Sequence, residues 1–347
     1  MAEIKRIFVR GTNWIGDAVM QIPALRELRR IFPAAHIALH TRSWARGIFE
    51  DAGFIDEILT FEKGKSKLKD SLSQGKILRD KKFDLAVLFP NSFESAVGAK
   101  LSAAPKRFGY ATDGRSFLLT DAIKVPEWKN RRHEVYYYLN LIVEIEKRFF
   151  GTETVLANQP KTDLKISDVR KQQAREILNK NGVDLSKKTV ALGVGSTNSR
   201  AKRWQAERYA ELNDKLQSES NAEVILGGAE NELNISNEVY AKSRRKPVIL
   251  TGKTNLAEAT AILSEIDLLV ANDMGLAHIA SAVGTDTIVI FGPTNPTTTK
   301  PWNAEIVFKN VECSPCMLRD CPIDHRCMTR ISAAEVFALA KEKLYQK

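Results

Sequence analysis

Two series of short apolar runs, separated by amphipathic segments, constrain the fold of this chain more than any other feature. Apolar runs of strand length that alternate with helical segments are typical of βαβ units, which build mostly parallel sheets. The sequence therefore predicts an α/β protein with one doubly wound sheet in each half. The predicted strands are residues 4–10, 36–41, 55–61, 83–90, 188–195, 222–228, 246–252, 266–273 and 285–293.

A connector between the two series marks the expected domain boundary. Residues 151–167 mix glycine, proline and polar side chains, and a chain of 347 residues is long enough for two domains with separate cores. We therefore predict a first domain over 1–165 and a second over 166–330. The amphipathic segment 331–347 is expected to be a helix, and one arrangement open to it is packing back on the first domain. Ligands of open α/β sheets bind at the carboxyl ends of the strands, so we expect a crevice that both domains face.

Charge and hydropathy narrow the partners of the chain. The formal net charge is +10, which favours nucleic acid, an acidic membrane surface or a phosphorylated small molecule. No stretch of about 18 apolar residues occurs, and the N-terminus lacks the apolar core of a signal peptide. We therefore expect a cytoplasmic protein without a transmembrane segment, while the charge leaves all three partner classes open.

Loops that suit a phosphorylated ligand follow two predicted strands of the second half. The loop GVGSTNSRAKRW combines small residues and the hydroxyls of Ser196 and Thr197 with the charge of Lys202 near a helix start. A solvated basic turn is the alternative. Glu230 follows the next strand, where a carboxylate commonly accepts hydrogen bonds from ribose hydroxyls, although it is equally suited to stabilise a helix start.

A third loop, VANDMGLAHIASAVGT, ends another apolar strand and carries Asp273, Gly275 and His278. Gly275 allows a ligand to approach the N–H groups of the following helix closely. A histidine at such a position is more often packed than catalytic. Three strand ends of the second half thus carry loops of the ligand-binding kind. The turn at 292–298, after the last predicted strand, is also rich in small and hydroxyl residues.

The first half carries a carboxylate, Asp17, where an α/β protein usually holds phosphate. Asp17 follows Gly16 in GTNWIGDA, a stretch without the G-x-G-x-x-G spacing of dinucleotide-binding proteins, which disfavours a dehydrogenase. A carboxylate there stabilises a helix N-terminus by about 0.3–1 kcal/mol, or acts as general base on an alcohol. Because it would repel a diphosphate, we expect the nucleotide in the second half.

The ordered set of motifs resembles one enzyme family. GTNWIGDAVMQIPAL, LFPNSFESA, RFGYATDGRSFLL, AKRW, GGAENE, NDMGLAHIASAVG and FGPTNP are similar to stretches of the ADP-heptose:lipopolysaccharide heptosyltransferases of glycosyltransferase family 9, with LFPNSF closest to type II. The resemblance covers nearly the whole chain. It implies a GT-B fold of two Rossmann-like domains that face a central crevice, the first binding the acceptor and the second ADP-heptose. It also implies an inverting transfer with no obligatory metal or other cofactor.

The resemblance also implies roles for single residues. Asp17 matches the catalytic base, Lys202 the cation that neutralises the donor diphosphate, and Glu230 the carboxylate on the ribose. Asp273 matches the contact to heptose and phosphate. Met274 stands where the family often has Ser or Thr, which leaves backbone N–H groups to hold phosphate there. The other implied donor contacts are Ser196, Thr197, Gly275, Leu276 and His278, and the implied acceptor contacts are Asn13, Trp14, Asn91, Ser92 and Arg115.

The implied reaction transfers heptose from ADP-L-glycero-D-manno-heptose to the first heptose of the lipopolysaccharide inner core. Its partners would be ADP-heptose and a heptosylated Kdo-lipid A acceptor at the inner leaflet, with no nucleic acid. A cytoplasmic enzyme in peripheral contact with the cytoplasmic membrane is compatible with this. A type I or type III enzyme of family 9, with another acceptor or nucleotide sugar, is the alternative.

Four cysteines, Cys313, Cys316, Cys321 and Cys327, form the only cysteine cluster in the sequence. Their C-x2-C-x4-C-x5-C spacing is shorter than that of structural zinc sites, which usually separate two ligand pairs by a dozen or more residues. Reduced thiols that stabilise a loop are therefore favoured over zinc. A basic nucleic-acid-binding protein with a zinc module is a distant alternative that leaves the strand-end loops unexplained.

Overall fold

The computed structural model describes residues 3–62, 64, 67–197 and 199–345, and the side chains of residues 67–69 are not considered. The chain forms two compact units, residues 1–162 and 163–347. The boundary lies within the connector predicted over 151–167.

The first unit contains a six-stranded parallel sheet with the strand order β3-β2-β1-β4-β5-β6. This is the order of doubly wound Rossmann sheets, in which the chain reverses direction across the sheet between the first and fourth strands. The strands are β1 Arg6–Arg10, β2 His36–Arg42, β3 Glu57–Phe61, β4 Leu85–Leu88, β5 Lys106–Tyr110 and β6 Asp121–Ile123. The helices are α1 Ile15–Met20, α2 Ile22–Ile31, α3 Arg46–Phe49, α4 Lys67–Asp80, α5 Phe93–Leu101 and α6 Glu134–Phe150.

The second unit repeats this architecture with the order β12-β11-β10-β7-β8-β9. Its strands are β7 Thr189–Gly193, β8 Glu223–Gly227, β9 Val248–Ile249, β10 Leu268–Asn272, β11 Asp286–Phe291 and β12 Glu305–Phe308. Its helices are α7 Asp168–Lys180, α8 Ala206–Glu219, α9 Leu233–Lys242, α10 Leu256–Leu263, α11 Gly275–Val283, α12 Pro296–Thr299, α13 Arg326–Thr329 and α14 Ala333–Tyr345. Single 3-10 turns cover Ser43–Ala45, Ser116–Leu118, Arg200–Lys202 and Glu230–Glu232.

The central strands are buried over almost their whole length, and in their register buried apolar residues lie opposite one another. Ile7 lies opposite Ile37, and Val9 opposite Leu39, and all four side chains are buried. Parallel sheets covered by helices on both faces require such apolar runs. The nine predicted strands all occur, and all except β2, which extends one residue further to Arg42, are shorter than the predicted run.

Three observed strands, β5, β6 and β12, were not expected from the sequence. β5 has the sequence KRFGY and β6 only DAI, so neither is an apolar run. β6 lies at the sheet edge beside β5, and β12 at the edge beside β11, where burial on both faces is incomplete. Edge strands therefore carry a weaker hydrophobic signal than central strands.

The C-terminal helix α14 packs against the core of the second unit. Val336, Phe337 and Ala340 are buried in the core that also contains Leu212 and Leu216 of α8. The Tyr345 hydroxyl donates a hydrogen bond to the Ser220 carbonyl at 2.7 Å. Part of the apolar face of α14 thus packs within its own unit, and packing of this helix on the first domain stays a prediction. Residues 346 and 347 of this predicted helix lie outside the described residues.

Candidate active site

Asp17 lies in the first turn of α1, directly after the loop that leaves the central strand β1. Its side chain is half-buried, and Oδ1 accepts a hydrogen bond from the Tyr138 hydroxyl at 2.9 Å. Burial and the neighbouring Asp17 carboxylate raise the pKa of Tyr138 well above its ordinary value. Tyr138 therefore stays protonated at neutral pH and holds one oxygen of the carboxylate in a fixed orientation.

The loop before Asp17 is held by a buried guanidinium. Arg10 Nη1 donates to the Gly11 carbonyl at 2.7 Å, and Nη2 donates to Asn13 Oδ1 at 3.2 Å. The guanidinium carbon lies 4.1 Å from the centroid of the Phe61 ring. Burial lowers the pKa of Arg10 to about 9, which leaves it charged at neutral pH. Burial and the nearby Arg10 lower the pKa of His40 to about 3, so this histidine is neutral.

The predicted acceptor contacts of the first unit fall into two environments. Asn13, Asn91 and Ser92 are half-buried, and Trp14 is exposed, all in loops at the carboxyl ends of β1 and β4. Asn91 Oδ1 accepts a hydrogen bond from the Tyr137 hydroxyl at 3.0 Å. Because β1 and β4 are neighbours at the point where the strand order reverses, these loops lie at the usual ligand edge of a doubly wound sheet.

Arg115 does not have the exposed position that acceptor binding would require. Its side chain is fully buried and donates hydrogen bonds to the carbonyls of Tyr110 (3.0 Å), Pro90 (2.5 Å) and Ser92 (3.0 Å) and to the Ser95 hydroxyl (2.8 Å). Arg115 thus ties the segment after β5 to the loop after β4. The expected contact between Arg115 and an acceptor is corrected to this structural role.

In the second unit, Lys202 and Asp273 come together from loops 71 residues apart. Lys202 Nζ lies 2.7 Å from Asp273 Oδ2, and the Thr294 hydroxyl donates to the same oxygen at 2.7 Å. The Asp273 side chain is 8% exposed, while that of Lys202 is 26% exposed. The buried carboxylate therefore orients an ammonium group that still reaches solvent, at the carboxyl ends of β7 and β10.

Asn272, which the sequence analysis did not single out, fixes the loop after β7. Its amide donates to the carbonyls of Val194 (2.9 Å) and Gly195 (3.0 Å). Its Oδ1 accepts hydrogen bonds from the Trp204 backbone N–H (2.9 Å) and the Tyr209 hydroxyl (3.0 Å). The side chain is completely buried. Asn272 therefore sets the path of the residues on both sides of Lys202. The ND pair that precedes α11 is its one sequence signal.

Glu232 is a second residue that sequence reasoning missed. Its carboxylate is buried against Gly195, where a Cβ atom would overlap it, and it accepts a hydrogen bond from the Ala229 N–H at 3.0 Å. The Thr197 hydroxyl donates to Glu232 Oε1 at 3.3 Å. Glu230, two residues earlier, is exposed. Glu232 thus supports the loop, and Glu230 stays accessible to a ligand.

The remaining predicted donor contacts lie in the loop after β7 and in helix α11. In the loop after β7, Ser196 is buried and Thr197 is exposed. Of these two side chains, that of Thr197 is therefore the one open to solvent. Met274, Gly275 and Leu276 are half-buried at the start of α11, and Met274 provides no side-chain cap. His278 is buried in the same helix. The first N–H groups of an uncapped helix favour an anion.

The four cysteines are free, and they belong to a segment that supports the Lys202 turn. The Ser199 hydroxyl donates to the Arg319 carbonyl at 3.1 Å, and the Ala201 N–H donates to the same carbonyl at 2.9 Å. Cys327 is buried, and burial together with the nearby cysteines raises its pKa to about 11. Within the part of the chain that the structure describes, no group of three or more His, Cys, Asp or Glu residues is disposed to hold a metal ion.

Residues 71–326 match the family model described as glycosyltransferase family 9 (heptosyltransferase). The chain belongs to glycosyltransferase family 9. The predicted family is thereby confirmed, and the chain is a glycosyltransferase. None of the helices in the described ranges is long and apolar enough to span a bilayer.

This family 9 enzyme is similar to several proteins whose names describe a heptosyltransferase 2 or II. Lipooligosaccharide heptosyltransferase 2 of Campylobacter jejuni is 29% identical over 346 residues, which cover 98% of both chains. Lipopolysaccharide heptosyltransferase 2 of Escherichia coli is 28% identical over 85% of each chain. The solved structure of the Escherichia coli ADP-heptose lps heptosyltransferase II has a TM-score of 0.84 at 25% identity, covering 98% of this chain and 99% of that one. The predicted GT-B fold class is confirmed by this match.

Proposed function

We propose that this family 9 enzyme transfers heptose from ADP-L-glycero-D-manno-heptose to the first heptose of the lipopolysaccharide inner core. The observation that carries the proposal is the Lys202–Asp273 pair, with Nζ and Oδ2 2.7 Å apart, beside the uncapped start of α11. A partly exposed ammonium next to the N-terminal end of a helix suits the diphosphate of a nucleotide sugar. The names of the full-length relatives support heptose as the transferred sugar.

In this proposal the second unit binds the donor. Lys202 and the N–H groups at Gly275 and Leu276 contact the diphosphate, because Met274 has no hydroxyl to offer. The exposed Glu230 accepts hydrogen bonds from the ribose hydroxyls. Asp273 orients Lys202 and contacts the heptose. Ser196, Thr197 and His278 complete the surroundings of the donor.

The first unit binds the acceptor and supplies the base. Asp17 removes the proton from an acceptor hydroxyl, whose oxygen forms a bond to the anomeric carbon of the donor. The bond from that carbon to the β-phosphate oxygen breaks, ADP leaves with the electron pair, and the configuration inverts. The proton ends on Asp17, and Lys202 neutralises the charge that develops on ADP. No obligatory metal or other cofactor enters this scheme.

The acceptor in this proposal is a heptosylated Kdo-lipid A at the inner leaflet, contacted by Asn13, Trp14, Asn91 and Ser92. The enzyme works in the cytoplasm at the inner face of the cytoplasmic membrane. Its substrates explain the excess of basic residues, because lipopolysaccharide cores carry anionic groups. No nucleic acid takes part.

The decisive assay mixes ADP-heptose with a mono-heptosylated core acceptor and measures ADP release together with the mass of the product. We expect Asp17→Asn to lose at least about 100-fold in kcat, the usual contribution of a general base. The matched control is Asp168→Asn, which removes an exposed carboxylate from the first turn of α7. The control reports the effect of losing a first-turn carboxylate from a helix, an interaction that both variants lose.

Turnover by Asp17→Asn near the wild-type rate, with the fold intact, would contradict the base assignment. A panel of nucleotide sugars and of acceptors, with and without the first heptose, tests the substrate assignment. Transfer to an acceptor without that heptose would indicate a type I activity instead.

A further inference from the structure

An aromatic and basic surface at one edge of the first unit has no role in the proposed transfer. We name it the aromatic–basic rim, and it consists of Phe93, Phe117, Trp128, Arg131 and Arg132. The Phe117 and Phe93 side chains are 74% and 41% exposed, and their ring centroids lie 6.1 Å apart. Two exposed phenylalanines in contact form an apolar patch, which commonly indicates an interaction site.

The rim residues come from the three segments that follow β4, β5 and β6, and hydrogen bonds join these segments. Arg115, two residues before Phe117, donates to the Ser92 carbonyl, directly before Phe93. The Tyr137 hydroxyl donates to Asn91 Oδ1, which ties the start of α6 to the same loop. Because β4, β5 and β6 are neighbours in the sheet, their following segments lie side by side.

The basic part of the rim lies in the segment between β6 and α6. Residues 124–133 contain four basic side chains, at Lys124, Lys129, Arg131 and Arg132, against one carboxylate, Glu127. Within the described part of the chain, Lys129 is paired with Glu134, whereas Arg131 and Arg132 are exposed and form no ion pair.

Arg132 is held over aromatic rings. Its guanidinium carbon lies 5.1 Å from the Trp128 ring centroid and 4.1 Å from that of Tyr136. A cation over an aromatic face remains available to a second, anionic partner. The segment thus presents an amphipathic tryptophan and two unpaired cations to the surroundings.

We propose that the aromatic–basic rim docks the enzyme on an anionic phospholipid surface. Tryptophan prefers the headgroup region, phenylalanine inserts at the boundary with the acyl chains, and unpaired arginines are attracted to anionic lipids. The rim adjoins the loop of Asn91, and the next residue after Tyr137 is Tyr138, the partner of Asp17. Docking here places the base of the proposed reaction near the headgroups, where a lipid-anchored acceptor presents its sugars.

The test measures binding of the full chain to vesicles by co-sedimentation. We expect binding to phosphatidylcholine vesicles that contain phosphatidylglycerol, and little to phosphatidylcholine alone. Arg131→Gln/Arg132→Gln should weaken binding about 25-fold, since each cation near an anionic surface contributes roughly fivefold. Phe117→Ser should weaken it about tenfold through the loss of partial apolar burial.

Two matched controls test whether vesicle binding depends on the aromatic–basic rim or on any exposed arginine pair or phenylalanine. Arg244→Gln/Arg245→Gln removes an adjacent exposed arginine pair from the second unit. Phe150→Ser changes an exposed phenylalanine at the other end of α6. Both controls should bind like the wild type. Absence of wild-type binding, or equal losses in the arginine pairs, would overturn the proposal.

The link to acceptor use rests on the proposed function, whereas vesicle binding does not. With a deacylated, water-soluble acceptor, Phe117→Ser should keep the wild-type rate, and with acceptor in anionic vesicles its rate should fall about tenfold. If Phe117→Ser slows transfer to the soluble acceptor while binding vesicles normally, the aromatic residues of the aromatic–basic rim bind sugar. That result would refute the docking proposal. Failure of heptose transfer itself would leave the vesicle result standing and refute only the proposed function.

Discussion

The Tyr138 hydroxyl donates a hydrogen bond to Asp17 Oδ1 at 2.9 Å, across 121 residues of sequence. Helix α6, which carries Tyr138, thereby fixes the carboxylate of Asp17. Asp17 lies in the helix that follows β1, the central strand of the first unit. A hydrogen bond of this kind holds the carboxylate oxygen in one orientation. Tyr138 is thus suited to act as a positioning residue for the proposed base.

The first prediction concerns Tyr138→Phe. Removing a hydrogen bond to a charged group costs about 1.5–3 kcal/mol, which is roughly a 10- to 150-fold change in rate when the transition state loses it. Because the substitution keeps Asp17 but releases the orientation of its carboxylate, kcat should fall while KM for ADP-heptose stays close to the wild-type value. Tyr240→Phe, a partly exposed tyrosine of the second unit, is the control and should leave kcat unchanged. A wild-type kcat in Tyr138→Phe would refute the positioning role.

The second prediction concerns Lys202→Gln. The substitution keeps a side chain of similar length but removes the charge that faces the donor, so ADP affinity should fall at least about tenfold. Calorimetric titration with ADP measures this loss directly. Arg200→Gln removes a neighbouring cation that is paired with Asp320 and should bind ADP normally. Unchanged ADP affinity together with an unchanged rate in Lys202→Gln would rule out the diphosphate role.

The third prediction concerns the packing of Glu232 against Gly195. A Cβ on Gly195 would overlap the buried carboxylate, so Gly195→Ala should lower the free energy of unfolding by about 1–3 kcal/mol. Gly227→Ala is the control, because nothing lies within 4 Å of a Cβ at Gly227. Urea denaturation of both variants compares the two sites. If Gly195→Ala and Gly227→Ala are equally stable, the loop after β7 accommodates the added methyl group and the prediction is wrong.

The fourth prediction concerns the buried Glu146 of α6. Burial alone would raise its pKa, but hydrogen bonds from the Thr154 side chain, the Val155 and Thr154 backbone N–H groups and Thr152 lower it below the ordinary value. A lowered folded-state pKa gives stability that is present above the unfolded-state pKa and lost as pH falls through the folded-state pKa.

We therefore expect Glu146→Gln to lower the free energy of unfolding at pH 7 by about 1–3 kcal/mol. Its difference from the wild type should shrink as the solution is acidified below about pH 4, near the ordinary carboxyl pKa. Denaturant unfolding across this pH range measures both effects. Glu153→Gln, at a largely exposed side chain, should change little. A pH-independent difference would contradict the linkage.

Much of the candidate site could be predicted from the sequence because its residues follow strands. Asp17, Lys202 and Asp273 stand after apolar runs, and parallel strands bring their carboxyl ends to one edge. Arg115 could not be assigned in this way. Its charge suggested anion binding, but the side chain is buried and donates hydrogen bonds to the Pro90 and Ser92 carbonyls. No local sequence pattern encodes those partners.

The sequence by itself determined the two doubly wound sheets and the family, because hydropathy periods and motifs are local properties. The tertiary structure decided which side chains meet. It paired Tyr138 with Asp17 and Lys202 with Asp273. It also buried Glu232 rather than Glu230, because side-chain direction at a helix start depends on what packs against it. Contacts between residues distant in sequence follow from packing in three dimensions, which no single segment specifies.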